Sequence, residues 1–111
     1  MVERKDVIIQ LEVIYFLDRL IEELYHFNYF SYKENAEFYT EKIYDFIHKD
    51  ISAFPPKSTP KSLVHLGSQY IFYKSNARTT WYIFFEESET NFFITGILNN
   101  HCEEAQFIGT T

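Results

Sequence analysis

The spacing of apolar residues changes period along this chain, and each change marks an element. Val7-Ile8-Ile9-Gln10-Leu11 is a short, β-branched apolar run that predicts a first strand. From Val13 the spacing becomes helical. Val13/Ile14, Leu17, Leu20/Ile21 and Leu24 recur every three or four positions, with Asp18, Arg19, Glu22 and Glu23 on the opposite face, which predicts an amphipathic helix over Glu12 to His26. Phe27-Asn28-Tyr29-Phe30 breaks that pattern. Ser31-Tyr32-Lys33-Glu34 then has the S-x-x-E form in which a serine oxygen and a glutamate satisfy each other's orphan amides at a helix start. Ala36, Tyr39, Ile43, Phe46/Ile47 and Ile51 continue at helical spacing, and Pro55-Pro56 stops the helix near Ser52. Two helices so closely joined should lie antiparallel, as a hairpin.

Ser52 to Gly67 holds all three prolines and has no sustained period, so it reads as a loop, with Leu63-Val64-His65-Leu66 tucking inward. Beyond it the period is that of strands. Gln69 to Tyr73, Thr79 to Phe85 and Asn91 to Leu98 are rich in aromatic and β-branched residues, joined by a Ser75-Asn76-Ala77 turn and by the polar tract Glu86 to Thr90. Trp81-Tyr82-Ile83-Phe84-Phe85 is apolar on both faces. A strand of that kind belongs at the centre of a sheet, since exposing either row of aromatics would leave a large adhesive patch. Cys102 to Thr111 is a tail whose Phe107 and Ile108 can dock on the core.

Helices first and strands afterwards, in the order β-α-α-β-β-β, is an α+β pattern: a helical hairpin packed on a small, mostly antiparallel, twisted sheet. The order of strands in the sheet stays open. Length and composition agree with this picture. With 111 residues, 46% hydrophobic and 20% aromatic, the chain has room for one domain with one core over residues 1–111 and is too apolar for disorder. No apolar run reaches the roughly 18 residues of a membrane span, and Met1 to Asp6 is too acidic to open a signal peptide, so a cytoplasmic location without membrane partners is expected. The single cysteine, Cys102, fits a reducing compartment.

The net charge of −6 argues against a protein that holds nucleic acid by bulk charge. Its distribution adds something. No acidic residue lies between Ile51 and Glu86, and Lys57, Lys61, Lys74 and Arg78, with His65, all fall there. The chain is acidic with one basic segment, which serves either as a binding surface or simply as a soluble loop and hairpin tip.

Tyr70-Ile71-Phe72-Tyr73-Lys74, Asn76 to Phe85 and Ile97-Leu98-Asn99-Asn100-His101, together with the β-α-α-β-β-β layout, resemble the RelE/ParE superfamily of toxins from bacterial type II toxin–antitoxin modules, in particular its plasmid-stabilisation branch. The resemblance implies a growth inhibitor restrained by a small cognate antitoxin. It also implies one of two targets: RelE-like members cleave mRNA in the ribosome without a metal or other cofactor, whereas ParE-like members poison DNA gyrase and cleave nothing. A silent member that only binds its antitoxin is the third reading, and oligomeric state is left open.

Metal-free RNA cleavage needs an activated 2′-hydroxyl, a protonated leaving oxygen and fixed cations on the phosphate. Lys74 and Arg78 are the natural phosphate clamp; if the turn is Ser75 to Ala77 they sit opposite one another, a repulsion that a bound anion or a splayed, solvated tip would relieve. His101 lies near where RelE-like nucleases carry a terminal His or Tyr for acid–base chemistry, and it reads equally as a surface histidine at a strand end. Tyr73 can stack on a base or on the core. Lys57 and Lys61 complete the candidate substrate-binding set.

The strands Trp81 to Phe85 and Phe92 to Leu98 contain no arginine or lysine, where RelE-like nucleases carry arginines into the RNA groove. This keeps the ParE-like and silent readings open. His26, His48, His65 and His101 are too dispersed for a zinc motif, Cys102 is followed by Glu103-Glu104 and reads as inert, and Glu86 to Glu89 reads as a solvated turn. An antitoxin should be a flexible segment that covers an exposed sheet edge or the groove beside the helices. Against an acidic toxin it would rely on apolar burial more than on charge.

Overall fold

The computed structural model of the chain describes residues 5–26, 33–53, 55–75, 77, 79–101, 105 and 108. The Ser31 cap, Asn76, Arg78, Cys102 and Phe107 fall outside these residues, as do the side chains of Ile21, Glu23, Leu24, His26, Glu34 and Ala36. The elements run β1 (Asp6–Ile9), α1 (Leu11–His26), α2 (Lys33–Asp50), β2 (Lys57–Ser58), a 3₁₀ helix (Lys61–Leu66), β3 (Gln69–Lys74), β4 (Thr80–Glu87) and β5 (Asn91–Asn99).

The fold is α+β. One five-stranded sheet has the order β1-β5-β4-β3-β2. β3, β4 and β5 form an antiparallel meander, because short turns join them. β1 lies parallel to β5, from Asp6 opposite Asn91 to Ile9 opposite Ile94. A parallel neighbour requires a long crossover, which the helices and the meander supply. β4 is the central strand, as its apolar residues on both faces require, and Trp81, Ile83, Phe84 and Phe85 are all buried.

The helices cover one face. Val13, Leu17 and Leu20 of α1 and Ile43, Phe46, Ile47 and Ile51 of α2 meet Ile71, Trp81, Ile83, Phe85, Phe92, Ile94 and Ile97 of the sheet. The helical periodicity read from the sequence is this buried stripe. On the far face a second, smaller cluster joins Leu63, Tyr70, Phe84, Leu98 and Ile108, with Leu66 and Tyr82 packed against it.

The loop expected from Ser52 to Gly67 is therefore corrected in part. It contributes the edge strand β2 and the 3₁₀ helix, the latter being what covers the far side of Phe84. Within Leu63 to Leu66 only the first and last residues turn inward: Leu63 is buried and Leu66 half-buried, while Val64 and His65 are exposed. A short 3₁₀ turn with three residues per turn brings Leu63 and Leu66 to one side.

Two local features seat that layer. Between Phe84 and Phe85 the β4–β5 register slips, so that Phe84 faces Gly96 while Phe85 faces Ile94, leaving Thr95 as an extra residue. The bulge changes which residues of β5 face the helices: Ile94 before it and Ile97 after it both join the helix-side core. The bulged Thr95 hydroxyl donates to the Leu66 carbonyl. Gly67 follows at φ +153°, and a Cβ there would lie 2.7 Å from the Phe85 backbone nitrogen and 2.7 Å from the Thr95 hydroxyl oxygen. Neighbouring Ser68 donates its amide at 2.9 Å, and also its hydroxyl, to the Glu86 carboxylate. Glu86 and Glu87 accordingly end β4 instead of forming a solvated turn; Glu87 pairs with Lys5, and the turn itself is closed by the Ser88 amide donating to the Asn91 carbonyl at 2.9 Å.

Candidate functional site at the β3–β4 turn

The strand pleat sorts the candidate residues between the two faces of the sheet. Tyr70, Phe72 and Lys74 alternate along β3 on the far face, and they stand opposite Phe84, Tyr82 and Thr80 of β4. Ile71 and Tyr73 point the other way, to the helices. Tyr73 stacks on Phe46 of α2, with ring centroids 4.8 Å apart and planes at 26°. Its ring thus packs against α2 on the helix side of the sheet and not on the open face. The aromatic on the open face beside Lys74 is Phe72, 41% exposed. Phe72 and its neighbour Tyr82 were legible from the alternation itself, since residues two apart on a strand share a face.

The 3₁₀ helix and Ile108 cover the far face over Tyr70, Phe84 and Leu98. Lys57 of β2 stands opposite Tyr70 and carries its ammonium to 5.9 Å from the Phe72 ring centre, within cation–π range. The exposed part of the face therefore has Phe72 at its middle, Lys57 on one side and Lys74 further along the strand. Lys61 opens the 3₁₀ helix, beyond the start of β3 and away from the Lys74 end. Burial holds the Tyr70 phenol above its ordinary range, with neighbouring Tyr82 adding to the effect.

The turn is wider than its sequence suggests. Lys74 pairs with Thr80, and the Ser75 amide donates to the Thr79 carbonyl at 3.0 Å. The partner of Lys74 across the strands is thus Thr80 and not Arg78, which lies outside the described residues.

The exit of β5 reaches the same end of the sheet. The Asn100 amide donates to the Thr80 carbonyl at 3.0 Å, while the Asn100 side-chain oxygen accepts from the Thr80 amide at 2.9 Å. His101 follows, exposed, with its amide donating to the Asn99 side chain at 2.8 Å and its ring Nε2 3.2 Å from the Thr79 hydroxyl oxygen. Lys74 and Asn100 flank Thr80 on either side, which sets their backbones about 10 Å apart, two inter-strand spacings. Of the six candidate residues, Lys74 and His101 are brought to one end of the sheet, Lys57 approaches it along the open face, Lys61 and Tyr73 stand apart, and Arg78 lies outside the described residues.

A third component came from α2. Tyr39, read from periodicity as a core residue, places its hydroxyl 2.9 Å from the Trp81 indole nitrogen and 2.7 Å from the Ser75 hydroxyl, which itself lies 3.3 Å from the Thr79 carbonyl. Nothing in the spacing of Tyr39 distinguishes it from its apolar neighbours; only the register of the turn shows what its hydroxyl meets.

Among the described residues no group of three His, Cys, Asp or Glu side chains is placed to hold a metal ion, and no helix is long and apolar enough to cross a membrane. No family model matches the chain, and neither a curated protein nor a solved structure matches it.

Proposed function

We propose that the protein is the toxin of a type II toxin–antitoxin pair and arrests growth by metal-independent cleavage of mRNA on the ribosome. The observation that carries this reading is that a histidine and a lysine stand at the same end of the sheet: His101 beside Thr79, and Lys74 opposite Thr80. A proton carrier near neutral pH and a fixed cation are the two functions that phosphate-ester cleavage through a 2′-hydroxyl demands. Phe72, exposed between Lys57 and Lys74, offers a ring face on which a base can stack. Arg78, carried by the same turn, supplies the second cation.

Induced expression of the wild-type chain should stop growth and leave truncated mRNA on ribosomes. The combined substitution Lys74→Ala/Arg78→Ala/His101→Ala should abolish both effects, and full toxicity in that triple variant would show the site to be elsewhere.

The ParE-like alternative, inhibition of DNA gyrase without cleavage, draws on one feature: β4 and β5, the strands beside the site, contribute no lysine or arginine to the sheet. Under that reading purified protein stalls supercoiling while ribosomal mRNA stays whole.

The antitoxin would cover the free edge of β1, which is paired only with β5. Ile8, Leu11 and Tyr15 beside it are 43%, 61% and 63% exposed, apolar surface suited to burial under a partner chain.

A further inference from the structure

The polar groups between α2 and His101 form one connected series whose proton directions can be assigned. The Trp81 indole N–H can only donate, so the Tyr39 oxygen accepts from it at 2.9 Å. The Tyr39 proton is then directed to the Ser75 oxygen, 2.7 Å away, and the Ser75 proton to the Thr79 carbonyl at 3.3 Å. The Ser75 amide donates to that same carbonyl at 3.0 Å. The backbone of Thr79 is thereby fixed from the helix side, and its hydroxyl is the group that meets His101 Nε2 at 3.2 Å.

A hydroxyl suits that position. It can donate to a neutral imidazole nitrogen and accept from a protonated one, so it holds the ring in both states of a proton cycle. The series starts on a rigid base, since Trp81 is 2% exposed and meets Phe16 edge-on at a centroid distance of 6.2 Å.

We propose that Tyr39 is a positioning residue: through Ser75 it sets the β3–β4 turn, and through Thr79 it orients the His101 imidazole. The role rests on the reading of His101 as the proton carrier, but the orientation itself is independent of any activity. A hydroxyl on α2, on the far side of the sheet from Phe72, therefore governs the histidine at the open end. Misplacing a reacting group by about 1 Å can cost on the order of 100-fold in rate, so the series has a measurable consequence even though Tyr39 touches no substrate.

The test is NMR of the ¹⁵N-labelled full chain, following the tautomer balance and titration of the His101 ring. Tyr39→Phe keeps the ring packing and removes only the hydroxyl; Thr79→Val removes the hydroxyl at the histidine; Thr79→Ser restores it. Both Tyr39→Phe and Thr79→Val should shift the His101 tautomer balance in the same direction, with Thr79→Ser returning it toward wild type. Ile47→Val, which trims the same buried core two turns further along α2 without touching the series, should lower thermal stability and leave the His101 signals in place. Unchanged His101 signals in folded Tyr39→Phe would overturn the proposal, as would an equal change in Ile47→Val. In the growth assay Tyr39→Phe should reduce toxicity by about 10- to 100-fold. If His101→Ala stays fully toxic while the NMR shifts appear, the orientation stands and the assignment of His101 to the chemistry is what fails.

Discussion

Replacing Gly67 by alanine probes the junction on which the far-face layer depends. The residue sits at φ +153° and ψ 149°, a backbone region open essentially to glycine alone, and forcing a side chain into it costs about 1–3 kcal/mol. A methyl group would also stand 2.7 Å from the Phe85 backbone nitrogen, 2.7 Å from the Thr95 hydroxyl oxygen and 3.0 Å from the Phe84 Cβ. Two of these three obstacles cannot move without disturbing β4, so overpacking adds a further cost of about 1–3 kcal/mol. The sum, roughly 2–6 kcal/mol, is a large share of the 5–15 kcal/mol that holds a typical domain folded. Gly96→Ala is the internal comparison. Its Cβ would meet the Leu66 carbonyl oxygen at 2.9 Å and the Leu66 side chain at 3.0 and 3.3 Å, but Gly96 has no positive φ, so the backbone cost is absent. Urea unfolding followed by tryptophan fluorescence is the assay, Trp81 being the single tryptophan and buried in the core. Gly67→Ala should be the more destabilising of the two. A Gly67→Ala midpoint within error of wild type would refute the packing of the 3₁₀ helix against the bulge.

High pH should weaken the fold. Burial raises the phenols of Tyr70 and Tyr44 above their ordinary 10.0, Tyr82 and Asp18 adding to the respective shifts. In each case the unfolded chain loses its proton first, so the stabilisation is complete below about pH 10 and is lost as pH rises through the folded-state values. Denaturant midpoints measured from pH 8 to 11 should fall at the top of that range, and less steeply in Tyr70→Phe; a flat profile would contradict the burial of both rings. Thr59→Val should be neutral or stabilising by up to about 1 kcal/mol, because the Thr59 hydroxyl is buried without a hydrogen-bond partner among the described residues and valine fills the same space. Thermal denaturation checks this, and a loss beyond 1 kcal/mol would mean that the hydroxyl is satisfied in solution.

What the sequence made legible was periodicity. The run Trp81 to Phe85, apolar on both faces, required a central strand, and β4 is central. The helical stripe through Ile43, Phe46, Ile47 and Ile51 gave the buried face of α2. The segment before Gly67 was missed because β2 has only two residues and the 3₁₀ helix six, too short to show a period. The site was legible in composition and only partly in geometry. Lys74 and His101 were found as residue types near strand ends. Tyr73 reads from the sequence as either a base-stacking or a core residue, and the alternation along β3 places its ring against Phe46 on the helix side, leaving Phe72 on the face that Lys74 shares. The register between β3 and β4 sets Lys74 opposite Thr80, and turn length depends on hydrogen bonds that no single residue announces. Tyr39 belonged to the helical pattern by spacing, and its hydroxyl acquired a role only once the turn was placed.

The most direct test of the proposed RNA cleavage at the Lys74–His101 end of the sheet adds purified protein to a reconstituted translation reaction with end-labelled mRNA, alongside Lys74→Ala and His101→Ala. Wild type should make ribosome-dependent cuts that persist in chelator and are lost or strongly reduced in both variants. Intact mRNA with wild-type protein, in a preparation that blocks gyrase supercoiling, would contradict it.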